Sequence, residues 1–285
     1  MKKTLSPASG PVESHLTLPG SKSLTNRALL LAALANGVSE LKDILISDDT
    51  EAFIAALRLL GIRIQLDTDT QQCIVMGCGG TFPVNEAWID CRDAGTAARF
   101  LPAAVSATIG RWHFDGSPQL RKRPLGGLLK ALRSQGIKIQ SEDQEDSLPL
   151  TVFGQNGLPG GTLKVDATDS GQFVSSLLMA APMSHTAVTL DLHDAVSKPF
   201  IDMTIRVMAE FGVRVRQLHP ERFSIPVPQR YIARDYVIEP DLSTAAPFFR
   251  SRRSDRRGSY HSADQTQGIQ PGRCPVSFSA AKNGL

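Results

Sequence analysis

The feature that most restricts how this chain can fold is a repeat. Three segments share one pattern: an apolar helix end, a glycine, then alternating apolar and basic residues. They are Leu57-Arg58-Leu59-Leu60-Gly61-Ile62-Arg63-Ile64, Leu132-Arg133-Ser134-Gln135-Gly136-Ile137-Lys138-Ile139 and Met208-Ala209-Glu210-Phe211-Gly212-Val213-Arg214-Val215. Glycine takes the left-handed conformation that ends a helix, and the period-two alternation after it starts a half-buried strand. The glycines lie 75 and 76 residues apart (136 − 61 and 212 − 136). Self-similarity at a fixed period marks a supersecondary unit used more than once.

Each unit holds an earlier helix at the corresponding phase, opening with small or polar residues. These helices start around Ser21-Lys22-Ser23, at Asp93-Ala94-Gly95-Thr96 and at Asp169-Ser170-Gly171-Gln172. A short strand candidate precedes each, at His15 to Leu18, Ala87 to Asp90 and Thr162 to Val165. The second helices start near Ser47-Asp48-Asp49-Thr50, Arg121-Lys122-Arg123-Pro124 and Ser197-Lys198-Pro199-Phe200. Proline just inside a helix start is favourable because its missing N–H is not needed there. The order predicts an α/β domain of three βαβαββ units with pseudo-threefold order.

That symmetry has a chemical consequence. A helix N-terminus presents unpaired N–H groups and a partial positive charge. Three of them at one phase of a threefold repeat would point toward a common region. Ser21, Asp93 and Asp169 also read as ordinary N-caps. Two of the three helices continue into an arginine, Arg27 and Arg99, which favours an anion-binding face. The run Arg121-Lys122-Arg123 reads either as a solvated turn or as a grip for phosphate or carboxylate, since a guanidinium fork holds a planar anion at two points.

Composition narrows the class. With 41% hydrophobic and 21% charged residues the 285-residue chain has the make-up of a globular protein with a real core. No apolar run approaches bilayer length, and no apolar stretch follows Lys2 and Lys3 as in a signal peptide, so the expectation is a cytoplasmic protein without a membrane partner. A net charge of +3 is too small to argue for nucleic acid. Cys73, Cys78, Cys91 and Cys274 lack metal-ligand spacing and read as reduced thiols, so no metal is expected.

Five segments together carry a family signature. Pro19-Gly20-Ser21-Lys22-Ser23-Leu24-Thr25-Asn26-Arg27-Ala28 resembles the N-terminal motif of EPSP synthases. Asp93-Ala94-Gly95-Thr96-Ala97-Ala98-Arg99 is similar to their Asn-Ala-Gly-Thr loop, with Asp93 in place of Asn. Asp115 to Pro124, Ser170-Gly171-Gln172-Phe173 and Val196-Ser197-Lys198-Pro199-Phe200-Ile201-Asp202 fit as well, with Gly171 where some members have a second serine. The resemblance covers residues 1 to about 248. It implies two domains of three repeated units each, closing over shikimate 3-phosphate and phosphoenolpyruvate. The enolpyruvyl group moves to the 5-hydroxyl by addition and elimination, with no metal or organic cofactor, in a monomer. Carried over by position, Lys22 would touch both substrates. Ser23, Arg27, Ser170, Gln172 and Ser197 would hold shikimate 3-phosphate, and Gly95 and Arg123 would face phosphoenolpyruvate. The UDP-N-acetylglucosamine enolpyruvyltransferase, built on the same repeat, ranks behind, because Asp115 to Pro124 holds no cysteine.

The same resemblance divides the chain into a strand segment of the second domain (1–20), the three-unit domain (21–240), and a start of the second domain followed by an aberrant tail (241–285). Tyr236 to Ala246 begins a fourth unit, but Arg250-Ser251-Arg252-Arg253-Ser254-Asp255-Arg256-Arg257-Gly258 follows where an alanine-rich helix is expected. Shifted by one base, Arg252-Arg253 can read Ala-Ala, Asp255-Arg256-Arg257 can read Thr-Gly-Gly, and Lys282-Asn283-Gly284 can read Lys-Met-Gly, in the family's order. A frameshift at about residues 247 to 250 is the expectation, with an arginine-rich nucleic-acid-binding tail as the rival. The second domain, with the family's acid and base, would then be largely missing. Such a chain would bind shikimate 3-phosphate and turn over little.

Overall fold

Gly61, Gly136 and Gly212 end three helices in one way in this computed structural model. They sit at φ +91°, +75° and +86°, a conformation that glycine takes without strain. The residue after each reaches back to close its helix: Ile62 N–H to the Leu57 carbonyl at 3.0 Å, Ile137 to Leu132 at 3.2 Å, Val213 to Met208 at 2.9 Å. Each bond satisfies a carbonyl that the helix end leaves open. The structure describes residues 14–193, 198–241, 244 and 275–278.

Strand β1 (Ser14–Thr17) precedes the first unit, which comprises α1 (Lys22–Leu34), β2 (Asn36–Lys42), α2 (Asp48–Leu59), β3 (Arg63–Asp67) and β4 (Gln72–Cys78). The second comprises β5 (Glu86–Asp90), α3 (Gly95–Ser106), β6 (Gly110–Asp115), the single turn α4 (Pro118–Arg121), α5 (Gly126–Ser134), β7 (Lys138–Ser141) and β8 (Leu150–Gly154). The third comprises β9 (Gly161–Asp166), α6 (Gly171–Ala180), β10 (Val188–His193), α7 (Lys198–Glu210), β11 (Arg216–His219) and β12 (Arg222–Ile225). After it come β13 (Tyr236–Val237) and β14 (Pro275–Phe278).

Three four-stranded sheets repeat one order, β5-β6-β8-β7, β9-β10-β12-β11 and β13-β2-β4-β3. In each, the leading pair is parallel and the other two pairings are antiparallel. The α/β class and threefold order expected from the sequence are therefore present, with one correction. His15–Leu18 is not the leading strand of the first unit. Tyr236 and Val237, from beyond the third unit, pair in parallel with Leu41 and Lys42 and take that place. β1 instead pairs antiparallel with β14, inside a stretch without a strand period in its residues. Alternation along a segment marks a strand but not its partner. The rest of the aberrant tail, with the proposed frameshift junction, lies outside the described residues.

The helices form two rings. α1, α3 and α6 are buried nearly all round and form the inner set, with every residue of α3 buried. α2 packs on α1 and α3, α5 on α3 and α6, and α7 on α6 and α1. Among the described residues no helix is long and apolar enough to cross a membrane.

Candidate functional site

The inner ring places the N-termini of α1, α3 and α6 within side-chain reach of one another. Asn26 Nδ2 of α1 donates to Thr96 Oγ1 of α3 at 2.7 Å. Arg99 Nη1 of α3 donates to Gln172 Oε1 of α6 at 3.0 Å. Arg27 Nη2 of α1 donates to Ser175 Oγ of α6 at 3.0 Å. Among the described contacts no side chain of Ser21, Asp93 or Asp169 caps its helix, and at α6 the cap is the residue after Asp169. Ser170 caps α6, its Oγ accepting from the Gln172 N–H at 3.2 Å. Ser21 makes no side-chain cap to α1, and the N-cap of α3 is Ala94, which has none to offer. Asp93 is exposed and accepts a hydrogen bond from Ser117.

Arg27 is the most enclosed cation here, at 1% exposure. Its Nη1 also donates to the Ser23 carbonyl at 2.9 Å, its Nε to Thr204 Oγ1 at 2.7 Å, and its Cζ lies 5.2 Å from the Phe100 ring centroid. No carboxylate pairs with it among the described residues. Burial pushes its guanidinium down to about 10, so it stays protonated at neutral pH. Arg99 is 7% exposed and packs over Phe173, and its Nε is buried with no hydrogen-bond partner among the described residues. Burial lowers its pKa, and the neighbouring Arg123 charge lowers it further against the opposing pull of Asp169.

Gly95 stands between Arg99 and Arg123. A Cβ on it would lie 2.8 Å from Nη1 of Arg99 and 2.8 Å from Nη1 of Arg123. A buried cation without a counter-ion is costly, and Arg27, which has none among the described residues, suits the capture of an anion together with Arg99, Arg123 and open helix N–H groups. Lys22 opens α1 at the same end, exposed and paired with Asp49 Oδ2 at 3.0 Å. Ser23 follows it, half-buried.

Of the residues singled out from sequence, the structure brings Gly95, Arg123 and Gln172 together around Arg99. Arg27 joins them through Ser175, and Lys22, Ser23 and Ser170 sit at the starts of the helices involved. Ser197 lies outside the described residues. The second helix of the middle unit does not start at Arg121–Pro124 but at Gly126, with α4 before it. Arg121 is not free for a ligand: its Nε and Nη2 fork onto Asp115 at 2.9 and 2.7 Å. Asn26, Thr96, Ser175 and Thr204 were not chosen from sequence, and Arg99 was read there only as a sign of an anion-binding face. Phase held part of the signal, since Arg27, Arg99 and Ser175 each stand six residues after Ser21, Asp93 and Asp169.

The family model of EPSP synthase (3-phosphoshikimate 1-carboxyvinyltransferase) matches residues 7–251. A 3-phosphoshikimate 1-carboxyvinyltransferase of Trichormus variabilis is 43% identical over 240 residues, covering 84% of this chain and 56% of the relative. One of Aliivibrio fischeri is 41% identical over 248 residues, covering 86% and 58%. The EPSP synthase structure from Acinetobacter baumannii superposes with a TM-score of 0.75 at 22% identity, over 93% of this chain and 63% of that one. The chain spans a little over half the length of the curated relatives it matches.

Proposed function

Because the chain belongs to the EPSP synthase (3-phosphoshikimate 1-carboxyvinyltransferase) family, we propose that its helix-end face binds shikimate 3-phosphate and phosphoenolpyruvate for transfer of the enolpyruvyl group, with release of phosphate. The observation that carries this reading is the convergence of Arg27, Arg99 and Arg123 on three adjoining helix starts, with no carboxylate partner on Arg27 among the described residues. Both substrates are multiply anionic, and fixed cations in a water-poor site stabilise developing charge without reorganising. Arg27, Ser23, Ser170 and Gln172 hold shikimate 3-phosphate in this reading, with Ser197 beside them. Gly95 leaves room for phosphoenolpyruvate against Arg123, and Lys22 spans both ligands. No residue among the described ones is assigned the proton transfers. The reading carries a cytoplasmic, monomeric protein that needs no metal or organic cofactor.

Calorimetric titration of the whole chain with shikimate 3-phosphate tests it, followed by a phosphate-release assay with phosphoenolpyruvate. The expected result is one-to-one binding that Arg27→Met weakens by at least about tenfold, the loss of one charge-assisted hydrogen-bond set. Absence of binding at millimolar ligand by a folded chain would remove the reading. The release assay separates a transferase from a chain that only binds.

A further inference from the structure

Arg27 is held by neutral groups from two helices of the third unit. Its Nε donates to Thr204 Oγ1 of α7 at 2.7 Å and its Nη2 to Ser175 Oγ of α6 at 3.0 Å. The two hydroxyls touch each other at 2.9 Å, and Thr204 Oγ1 lies 2.8 Å from the Phe200 carbonyl. Both residues are 0% exposed. A buried hydroxyl is costly unless it is hydrogen-bonded, so its presence asks for a reason.

The repeat supplies the comparison. Thr204 stands eight residues before Gly212, and the positions eight before Gly61 and Gly136 are Phe53 and Leu128, both buried and apolar. The same core slot is therefore filled by hydrocarbon in two units and by a hydroxyl only where Arg27 reaches it. Ser175 departs from its equivalents in the complementary way. Arg27 and Arg99 occupy that phase in the other units, and a third guanidinium there would meet the first. A carboxylate at either place would have held Arg27 as well, but would have cancelled its charge. Of the five guanidinium N–H groups, the Thr204, Ser175 and Ser23 contacts use three. One on each terminal nitrogen remains without an acceptor among the described residues.

We propose that Thr204 and Ser175 are positioning residues for Arg27, fixing its guanidinium while leaving its charge and two donors for an anionic ligand. The ligand, shikimate 3-phosphate, rests on the functional reading above; the positioning does not. Whole chains carrying Thr204→Val, Thr204→Ser and Ser175→Ala are compared by two measurements. The first is hydrogen exchange at Arg27 Nε by nitrogen–proton NMR, which needs no ligand. The second is calorimetric affinity for shikimate 3-phosphate.

Thr204→Val, similar in shape but without the acceptor, should speed Nε exchange and weaken binding, each by about tenfold. Thr204→Ser should restore both, which a packing role for the methyl group would not produce. Ser175→Ala should weaken binding with a smaller change at Nε, and it stands in should the valine variant not fold. Unchanged Nε exchange in Thr204→Val, or no recovery in Thr204→Ser, overturns the proposal. If exchange responds as expected but no chain binds shikimate 3-phosphate, the positioning stands and the ligand assignment falls.

Discussion

Gly95→Ala separates the stability of this domain from its ligand chemistry. The added Cβ would stand 2.8 Å from Nη1 of Arg99 and of Arg123, where ordinary contact begins at 3.4 Å, so each tip must retreat by about 0.6 Å (3.4 − 2.8). Arg123 is exposed and swings away easily, but Arg99 is buried and must strain or break its bond to Gln172 Oε1. Losing that bond costs about 1.5 kcal/mol. Replacing glycine at a helix position contributes up to about 1 kcal/mol in the opposite direction. The net change in stability is within about 1 kcal/mol, a Tm shift of no more than about 4 °C. Ligand binding should suffer far more if the proposed site is right, because both cations beside the proposed phosphoenolpyruvate position are displaced, and a charge-assisted contact is worth about 1.5–3 kcal/mol. Affinity for phosphoenolpyruvate, measured by calorimetry with shikimate 3-phosphate present, should fall by about ten- to a hundredfold, while that for shikimate 3-phosphate changes by less than about threefold. A variant that binds phosphoenolpyruvate as tightly as the parent would refute the idea that Gly95 exists to admit it. A Tm drop above about 10 °C would show that the glycine serves packing instead.

Gly127→Ala should do the reverse. Its Cβ would lie 2.1 Å from the Asp166 carbonyl oxygen and 2.9 Å from Phe173 Cδ2, and backbone cannot step aside as a side-chain tip can, so the domain should lose about 1–3 kcal/mol by denaturant titration; an unchanged midpoint contradicts this. Cys73 and Cys91 should resist thiol reagents in the native chain at neutral pH. Burial pushes the Cys73 thiol up to about 12 and the Cys91 thiol higher, helped at Cys91 by Asp90 and Asp115, so peptide mapping that finds either labelled before unfolding would count against the fold.

The threefold order was legible because it is written in local signals. A glycine at positive φ and the alternation after it can be read within eight residues, and all three instances close their helices alike. Gly95, Arg123 and Gln172 were legible for a different reason, as members of motifs whose spacing survives in this chain. What sequence did not yield depends on long-range pairing. Nothing in Tyr236-Val237 says that it completes a sheet begun at Asn36. Arg121 and Arg123 look equivalent in the run Arg121-Lys122-Arg123, yet Asp115 takes the first and leaves the second facing Gly95. Thr204 is invisible as a functional candidate on an amphipathic helix until Arg27, 177 residues away, is seen against it.

The strand borrowed from beyond the third unit orders events during synthesis. β2 has β4 on one side, but its other edge waits for Tyr236 and Val237, which leave the ribosome 195 residues after Lys42 (237 − 42). At cellular elongation rates that is a delay of about 10–40 s, during which the first unit carries an open strand edge able to recruit other nascent chains. The first part of the domain to be made is thus the last to be finished, and a chaperone's protection would matter most there, well before the arginine cluster has closed.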